Sequence, residues 1–435
     1  MQPLKHKLGL WSIILLGING IIGSGVFLLP NKAMDLFGPW SLLVLVFDMV
    51  LALCIALCFA EASSLFKDTG GPYIFAKEAF GDFVGYEVGF ITWATRIIAF
   101  AAMSVGFATA VLGIFPEWNS VLMKNVISMG VIAVLSILNL CGVQPFKVVQ
   151  NIITIGKVVP LVLFIVIGIF FIDFGNFTAP PETTYSMEAF GSAAILLFYA
   201  FTGFEGICVA AGDMKDPKRD LPWATVLTLA FCSAVYFLLL AICIGVMGPA
   251  LAESSVPVQD AFARICGPVG GWIIAAGTLI SIGGICIASS FITPRSGLAL
   301  AEKGMLPAFM ARENRFGAPY WCIIISGVVA MAINMTGTFT TLAAISVVAR
   351  FAQYIPTCLS VMVFRRTMKD APRSFKLPLG NVIPILAVLI SIVFCTQVSL
   401  QQLAIGLGAL LVAVPFYFFF YKPSARKTRS SQDVC

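Results

Sequence analysis

Long apolar runs separated by short polar connections most limit what this chain can form. We count twelve runs along its 435 residues, each close to or above the roughly 20 residues with which a helix crosses a bilayer. Backbone groups must be paired inside hydrocarbon, so each run is predicted to be helical. The chain is therefore expected to be an all-α polytopic membrane protein in one domain, 1–435. The predicted spans are 9–35, 40–66, 83–115, 121–140, 148–172, 186–211, 220–248, 268–302, 320–340, 342–364, 380–398 and 400–421.

Composition supports a membrane protein and excludes several other classes. Charged residues make up 11% of the chain, whereas soluble domains carry about 25%. The 12 cysteines form no CxxC pair and no zinc-like spacing with His6, the single histidine. Cysteine is thus interpreted as a small apolar residue, and we expect no metal site and no cofactor.

The distribution of basic residues predicts the orientation. With the N-terminus inside, 21 lysines and arginines fall in inner connections and the tail, against three outside: Lys32, Lys124 and Arg264. This bias predicts that both termini are cytoplasmic. The first run lacks a small-residue cleavage site, so we expect it to remain in the mature protein. The net charge of +6 requires no nucleic-acid partner.

The first span is interrupted by Gly23-Ser24-Gly25. Glycine weakens a helix by about 1 kcal/mol relative to alanine, and non-helical backbone at membrane depth persists only beside protein or a water-filled cavity. The opposed ends of two half-helices offer amides to a carboxylate and carbonyls to an ammonium or a cation. Close helix packing by small residues is the alternative interpretation of these glycines.

A second interruption lies in the sixth span, where Gly203 and Gly206 flank Phe204 and Glu205. The two broken spans are five helices apart. Paired interruptions in corresponding positions of two halves are typical of transporters built from an inverted repeat, with the substrate site between the repeats. This pairing favours transport over packing alone.

Three blocks carry a resemblance to a known family. They are 23–27 in the first span, 70–73 after the second, and 201–205 with the basic loop 215–222. Over nearly its whole length the chain resembles amino acid permeases of the amino acid–polyamine–organocation superfamily. The resemblance implies a LeuT-like fold with alternating access. Its 5+5 inverted repeat would occupy about 9–172 and 186–364, with two peripheral helices at about 380–421.

The resemblance also implies a substrate site. The substrate carboxylate would meet Ser24 and Gly25, and its ammonium the carbonyls around Ile21, Tyr199 and Thr202. Aromatic gating would fall to Tyr199, Phe201 or Phe204, with Tyr199 favoured, and Glu205 would be tied to conformational change and proton sensing. Ile285 stands where some exchangers of cationic substrates carry tryptophan, which weakens the cationic-substrate interpretation. The assigned binding residues are Ile21, Gly23, Ser24, Gly25, Tyr199, Phe201, Thr202, Phe204 and Ile285.

Charged residues inside spans are costly and usually functional. Lys157 in the fifth span matches a lysine that, in the resembled family, replaces a sodium ion and links the first span to the eighth, with Ser281 as its candidate partner. Lys157 either titrates during transport or serves as a fixed charge. Arg96 either contacts a second carboxylate of an acidic substrate or pairs with Asp48 or another internal acid. Arg350 is expected to lock one state through a salt bridge or a carbonyl contact.

No nucleotide-binding loop, nucleophile elbow or HExxH motif is present, so we expect no ATP-driven step and no enzyme. The connection near 115–124 lacks cysteine, which predicts no disulfide-linked ancillary subunit. The predicted function is secondary transport of amino acids, neutral ones being favoured, across the inner (cytoplasmic) membrane, with protons as the coupling ion. The alternative is an obligate amino acid exchanger, such as an amino acid/amine antiporter. A channel or membrane sensor is a distant third interpretation.

Overall fold

Helices make up almost all of the described chain. The computed structural model describes residues 9–66, 71–142, 147–178, 185–209, 214, 217–373 and 375–421. Gly70, Lys215 and Asp216 of the family-like blocks lie outside these ranges, as do the basic residues of the two chain ends. No β-strand occurs within the described ranges.

The first half of the described chain contains eight α-helices. The first predicted span is divided among α1, α2 and α3, because the backbone becomes extended at Ile22 (φ −69°, ψ 105°). The helices are α1 (Leu10–Ile21), α2 (Ser24–Leu28), α3 (Pro30–Phe37), α4 (Ser41–Ser63), α5 (Pro72–Phe80), α6 (Asp82–Ile114), α7 (Val121–Leu140) and α8 (Lys147–Gly168).

The second half contains eight more. The sixth predicted span is divided between α9 and α10. Helix α12 consists of two helical segments separated by the non-helical Gly267 (φ 69°), and the second segment begins at the predicted boundary of 268. The helices are α9 (Met187–Phe201), α10 (Glu205–Val209), α11 (Pro217–Met247), α12 (Pro257–Glu302), α13 (Tyr320–Asn334), α14 (Phe339–Thr367), α15 (Val382–Cys395) and α16 (Leu400–Phe420).

Eight helical stretches of the described chain are long and apolar enough to cross a membrane. Four shorter apolar helices accompany them, at Leu10–Ile21, Gly156–Phe171, Tyr320–Asn334 and Val382–Cys395. The protein is therefore an all-helical polytopic membrane protein. The twelve-span topology and the inverted repeat stay predictions.

Local sequence explains where several helices begin and end. Ser120 and Ser186 accept hydrogen bonds from backbone amides in the first turns of α7 and α9, and Ser399 forms a capping box with Gln402 at the start of α16. Such caps satisfy amides that have no partner inside the helix. Gly81 adopts a positive φ of 94° between α5 and α6, which glycine allows at little cost.

The packing places the interrupted helices at the centre. Helix α6 packs against α5, α7, α12, α13, α14 and α16, whereas α1 and α2 pack between α11 and α12, with α9 and α10 beside them. Few residues of α7 and α16 are buried, as expected for peripheral helices that face lipid. The breaks of α1–α2 and α9–α10 are therefore enclosed by other helices.

Candidate functional site

The first break lies between α1 and α2. Ile22 and Gly23 have non-helical backbones, and Ser24 and Gly25 begin the next helix, both buried. Gly25 lies so close to α9 that an added Cβ would lie 3.0 Å from the Ala200 Cα. The small residues predicted for substrate binding thus bring α2 directly against the second broken helix.

The second break begins after Phe201. Thr202 is extended (φ −65°, ψ 147°) and Gly203 has a positive φ of 112°, a conformation that a residue with a side chain adopts only with strain. A Cβ on Gly203 would lie 2.4 Å from the Gly20 carbonyl oxygen. Gly203 is therefore required both by its own conformation and by the contact between the two breaks.

Hydrogen bonds already occupy some of the carbonyls that the sequence predicted to be free. The Tyr199 carbonyl accepts bonds from the Thr202 amide (3.2 Å) and hydroxyl (2.8 Å), so both of its lone pairs are used. The Ile21 carbonyl accepts one bond, from the Tyr236 hydroxyl at 3.1 Å, and keeps its second lone pair. An incoming ammonium would therefore meet Ile21 rather than the Tyr199 carbonyl.

Tyr236 of α11 joins the two breaks. Its hydroxyl lies 3.1 Å from the Ile21 carbonyl oxygen and also 3.1 Å from the Ala200 carbonyl oxygen. The side chain is buried, and its ring contacts Phe201 edge-on. Sequence reasoning missed this residue, because a tyrosine within an apolar helix gives no indication of what its hydroxyl meets.

Lys157 of α8 contacts the first break. Its ammonium donates to the Asn19 carbonyl oxygen (2.8 Å) and to the Ile22 carbonyl oxygen (3.0 Å), and no part of the residue is exposed. The ammonium therefore stabilises the C-terminal end of α1, where carbonyls lack helical partners. The predicted contact with Ser281 is absent from this structure, in which the Ser281 hydroxyl is buried and has no hydrogen-bond partner.

Glu205 begins α10 and is held by three donors. Arg350 of α14 forms a salt bridge with it, the Tyr354 hydroxyl donates to Oε2 at 3.1 Å, and the Gly203 amide donates to the same oxygen at 3.0 Å. The expected salt bridge of Arg350 thus has Glu205 as its partner, 145 residues earlier in the chain. This network joins α14 to the second break.

Arg96 of α6 lies near this network without a bond to it. The guanidinium interacts electrostatically with both Glu205 and Arg350, yet its Nε is buried with no hydrogen-bond partner. The predicted alternative pairing with Asp48 is not formed, since both Asp48 oxygens are buried and unpaired. Arg96 is therefore a cation without a bonded acid in the part of the chain described here.

The predicted aromatic residues have different surroundings. The Tyr199 hydroxyl lies 3.3 Å from the Ser24 hydroxyl, whereas Phe204 packs against Phe59 and Tyr354. Phe201 and Phe204 are both fully buried, so they serve mainly as packing in this state. Ile285 closely approaches the first break, because a Cβ on Gly23 would lie 2.8 Å from its Cδ1.

One side of the site is closed. Phe339, at the start of α14, contacts the Tyr199 ring edge-on at 5.7 Å and packs against Gly106 of α6. Phe339, Tyr199 and Ser24 are all at most 5% exposed. On the side of α1 and α10, by contrast, Gly20 and Gly206 are exposed and Glu205 is partly exposed. That side is the one predicted to face the cytoplasm.

Comparisons with known proteins agree with this arrangement. The sequence profile described as amino acid permease matches residues 8–421. An uncharacterised transporter of Mycobacterium tuberculosis is 30% identical over 420 residues, covering 89% of this chain and 86% of the relative. The serine/threonine exchanger SteT of Bacillus subtilis is 29% identical, with 97% of this chain and 98% of SteT covered.

A further relative is named for a different substrate. The branched-chain amino acid permease BcaP of Bacillus subtilis is 25% identical, with 98% of this chain and 95% of BcaP covered. The range matched by the family profile, 8–421, includes both breaks and all sixteen described helices. The chain belongs to the amino acid permease family of the amino acid–polyamine–organocation superfamily, as its sequence motifs predicted.

Proposed function

We propose that this protein is a secondary transporter that carries amino acids across the cytoplasmic membrane by alternating access, with twelve spans, a 5+5 inverted repeat and both termini in the cytoplasm. The observation that carries the proposal is the meeting of two broken helices at Gly20 and Gly203. Half-helix ends at membrane depth provide partners for both charges of a zwitterion. The names of SteT and BcaP support an amino acid as the substrate.

The substrate carboxylate is assigned to the amides and hydroxyl at Ser24 and Gly25. Its ammonium is assigned to the free lone pair of the Ile21 carbonyl and to the backbone near Thr202. A zwitterion is costly to remove from water unless both ends find partners, and this arrangement supplies both. Tyr199 closes over Ser24 as the aromatic gate, and Ile285 borders the first break.

Three buried or partly buried cations argue against a substrate with a cationic side chain. Lys157, Arg96 and Arg350 outnumber the single acid bonded to them, Glu205. Together with the absence of a tryptophan at Ile285, this favours neutral over cationic amino acids. The positive potential of the site would repel arginine or an amine.

Proton coupling is assigned to Lys157. Loss of its proton would remove the charge that stabilises the Asn19 and Ile22 carbonyls, and would thereby loosen the end of α1. Glu205 is a weaker candidate than the sequence indicated, because Arg350, Tyr354 and the Gly203 amide all stabilise its ionised form. Its role in this scheme is to attach α10 to α14.

Uptake into proteoliposomes tests the proposal. With an inwardly directed proton gradient and no internal substrate, we expect accumulation of amino acids without a cationic side chain. Lys157→Met should reduce gradient-driven accumulation at least tenfold, because the variant cannot exchange a proton. Lys32→Met is the matched control, since Lys32 forms only an exposed ion pair with Asp35, and exposed pairs contribute about 0–1 kcal/mol.

An obligate exchanger is the second candidate, which the name of SteT favours. In that case uptake would require amino acid preloaded inside the vesicles and would not respond to the proton gradient. Failure of every amino acid to bind or to enter, under both conditions, would refute amino acid transport itself.

A further inference from the structure

The strongest unexplained feature outside the assigned zwitterion site is the Arg96 guanidinium. Within the described chain it makes no hydrogen bond and no ion pair. Its Nε is buried and unpaired, whereas its two terminal nitrogens are absent from the set of buried unpaired atoms. Those nitrogens therefore reach open space, consistent with the partial exposure of the residue.

No internal acid of the described chain is bonded to Arg96. Four acids lie within the helices around it or on the same bundle: Asp48, Glu61, Glu87 and Glu205. The oxygens of Asp48 and Glu87 have no hydrogen-bond partner of any kind. Glu61 is bonded to Arg365, and Glu205 to Arg350. A guanidinium with free donors and no bonded acid can bind an external anion, preferably a planar carboxylate.

The position of Arg96 relates that receptor to the assigned substrate site. Arg96 interacts electrostatically with Glu205, and Glu205 accepts a hydrogen bond from the Gly203 amide within the second break. The free cation thus interacts with a carboxylate that is itself hydrogen-bonded to the second break. Helix α6, which carries Arg96, also packs against α2 and α12, the other elements of that site.

We propose that Arg96 binds the side-chain carboxylate of an acidic amino acid, so that the transporter takes glutamate or aspartate in preference to their neutral amides. This inference rests on the proposed function, because the backbone of the amino acid must occupy the two breaks. It narrows the expected substrates from amino acids without a cationic side chain to those with an anionic one. Such a substrate would offset one of the excess positive charges around Glu205.

The test is thermal stabilisation of the purified wild-type protein by glutamate and aspartate against glutamine and asparagine. The members of each pair differ little in size, so charge is the main variable. A ligand that binds the folded state raises the apparent stability by mass action. We expect the acidic member of one pair to bind about 10- to 100-fold more tightly, the range that charge-assisted hydrogen bonds provide.

Substitution at Arg96 provides the second arm. Arg96→Gln should remove the preference for the acidic member and leave binding of the amide within about twofold, whereas Arg96→Lys should retain part of it. Arg366→Gln is the matched control, because Arg366 is an exposed arginine at the end of α14. It should leave the preference unchanged. The wild-type comparison remains decisive if an Arg96 variant does not fold.

Several results would overturn the inference. Equal or stronger stabilisation of the wild type by the neutral amides would show that Arg96 does not bind a side-chain carboxylate. It would leave the proposal of amino acid binding intact. Equal weakening of acid and amide in Arg96→Gln would instead indicate that Arg96 exchanges with Arg350 as the partner of Glu205. Binding of no amino acid at all would refute the proposed function and this inference together.

Discussion

Two carboxylates within the helical bundle, Glu61 and Glu205, are each bonded to an arginine of α14, but their surroundings differ. Glu61, in α4, accepts two bonds from Arg365, at 2.8 and 2.5 Å, and one from the Leu377 amide at 2.8 Å. Its side chain is 1% exposed, whereas that of Glu205 is 15% exposed. The Glu61 group is closed to solvent, and the Glu205 group has an accessible side.

The arginines around the two carboxylates differ in the same way. Arg365 also donates to Asn381 (3.2 Å), and Arg373 donates to the Phe364 and Met368 carbonyls at the end of α14. Around Glu61 each cation therefore has bonded partners, but beside Glu205 Arg96 has none. A fully paired group is what a fixed connection between α4 and α14 requires. A group with an unpaired cation at a helix break is suited to binding or movement.

The largest effect on stability is expected for Glu61→Gln. The substitution removes the counter-charge of Arg365, whose side chain is only 11% exposed, and removal of one partner of a buried pair costs about 3–5 kcal/mol. Thermal unfolding in detergent should show a large loss of stability. Glu117→Gln, at an exposed glutamate, should change little. A loss at Glu61 no larger than at Glu117 would mean that the closed group does not stabilise the fold.

Compared with Glu61→Gln, Glu205→Gln is expected to cause a smaller loss of stability but a larger loss of transport. The amide oxygen can still accept a hydrogen bond from the Gly203 amide, and solvent on the accessible side compensates Arg350 in part. We expect the free energy of unfolding to fall by about 1.5–3 kcal/mol, the contribution of a hydrogen bond to a charged group. Uptake should fall at least tenfold, because α10 is no longer attached to α14 by charge.

Measuring stability and uptake for both variants distinguishes the two groups. If Glu61→Gln abolished transport without destabilising the protein, while Glu205→Gln destabilised it without affecting transport, the assignment of fixed and moving groups would be reversed. Both measurements are made on the same purified preparations, so loss of folded protein can be separated from loss of activity.

Sequence predicted the helices better than the contacts between them. Apolar runs identify helical segments because hydrocarbon forces backbone groups to pair locally, and glycines identified both breaks, at Gly23 and Gly203. The predicted start of the eighth span at 268 agrees with the non-helical backbone at Gly267 inside α12. The ends were less accurate on the other side of this glycine, because the helical segment that begins at Pro257 was not predicted.

The sequence indicated which residues belong to the site, but not which residues they contact. Lys157 was identified because a cation inside an apolar run is unusual, and the structure places it on the first break. The pairing of Arg350 with Glu205 was not predictable, because it joins residues far apart in the chain. Tyr236 and Phe339 gave no signal, since aromatic residues in apolar helices are ordinary packing residues unless the fold places them at a site.

The smallest effect is expected for Tyr236→Phe. This substitution tests an uncharged hydrogen-bonding group that connects the two breaks, in contrast to the charged groups around Glu61 and Glu205. The substitution keeps the ring beside Phe201 and removes the hydroxyl that contacts the Ile21 and Ala200 carbonyls. Loss of such a hydrogen bond costs about 0.5–1.5 kcal/mol. Because the Ile21 carbonyl belongs to the assigned site, affinity for the substrate should change together with stability. Tyr320→Phe is the matched control, at a tyrosine that begins α13 away from the breaks. Equal effects of the two substitutions on affinity would show that Tyr236 only fills space.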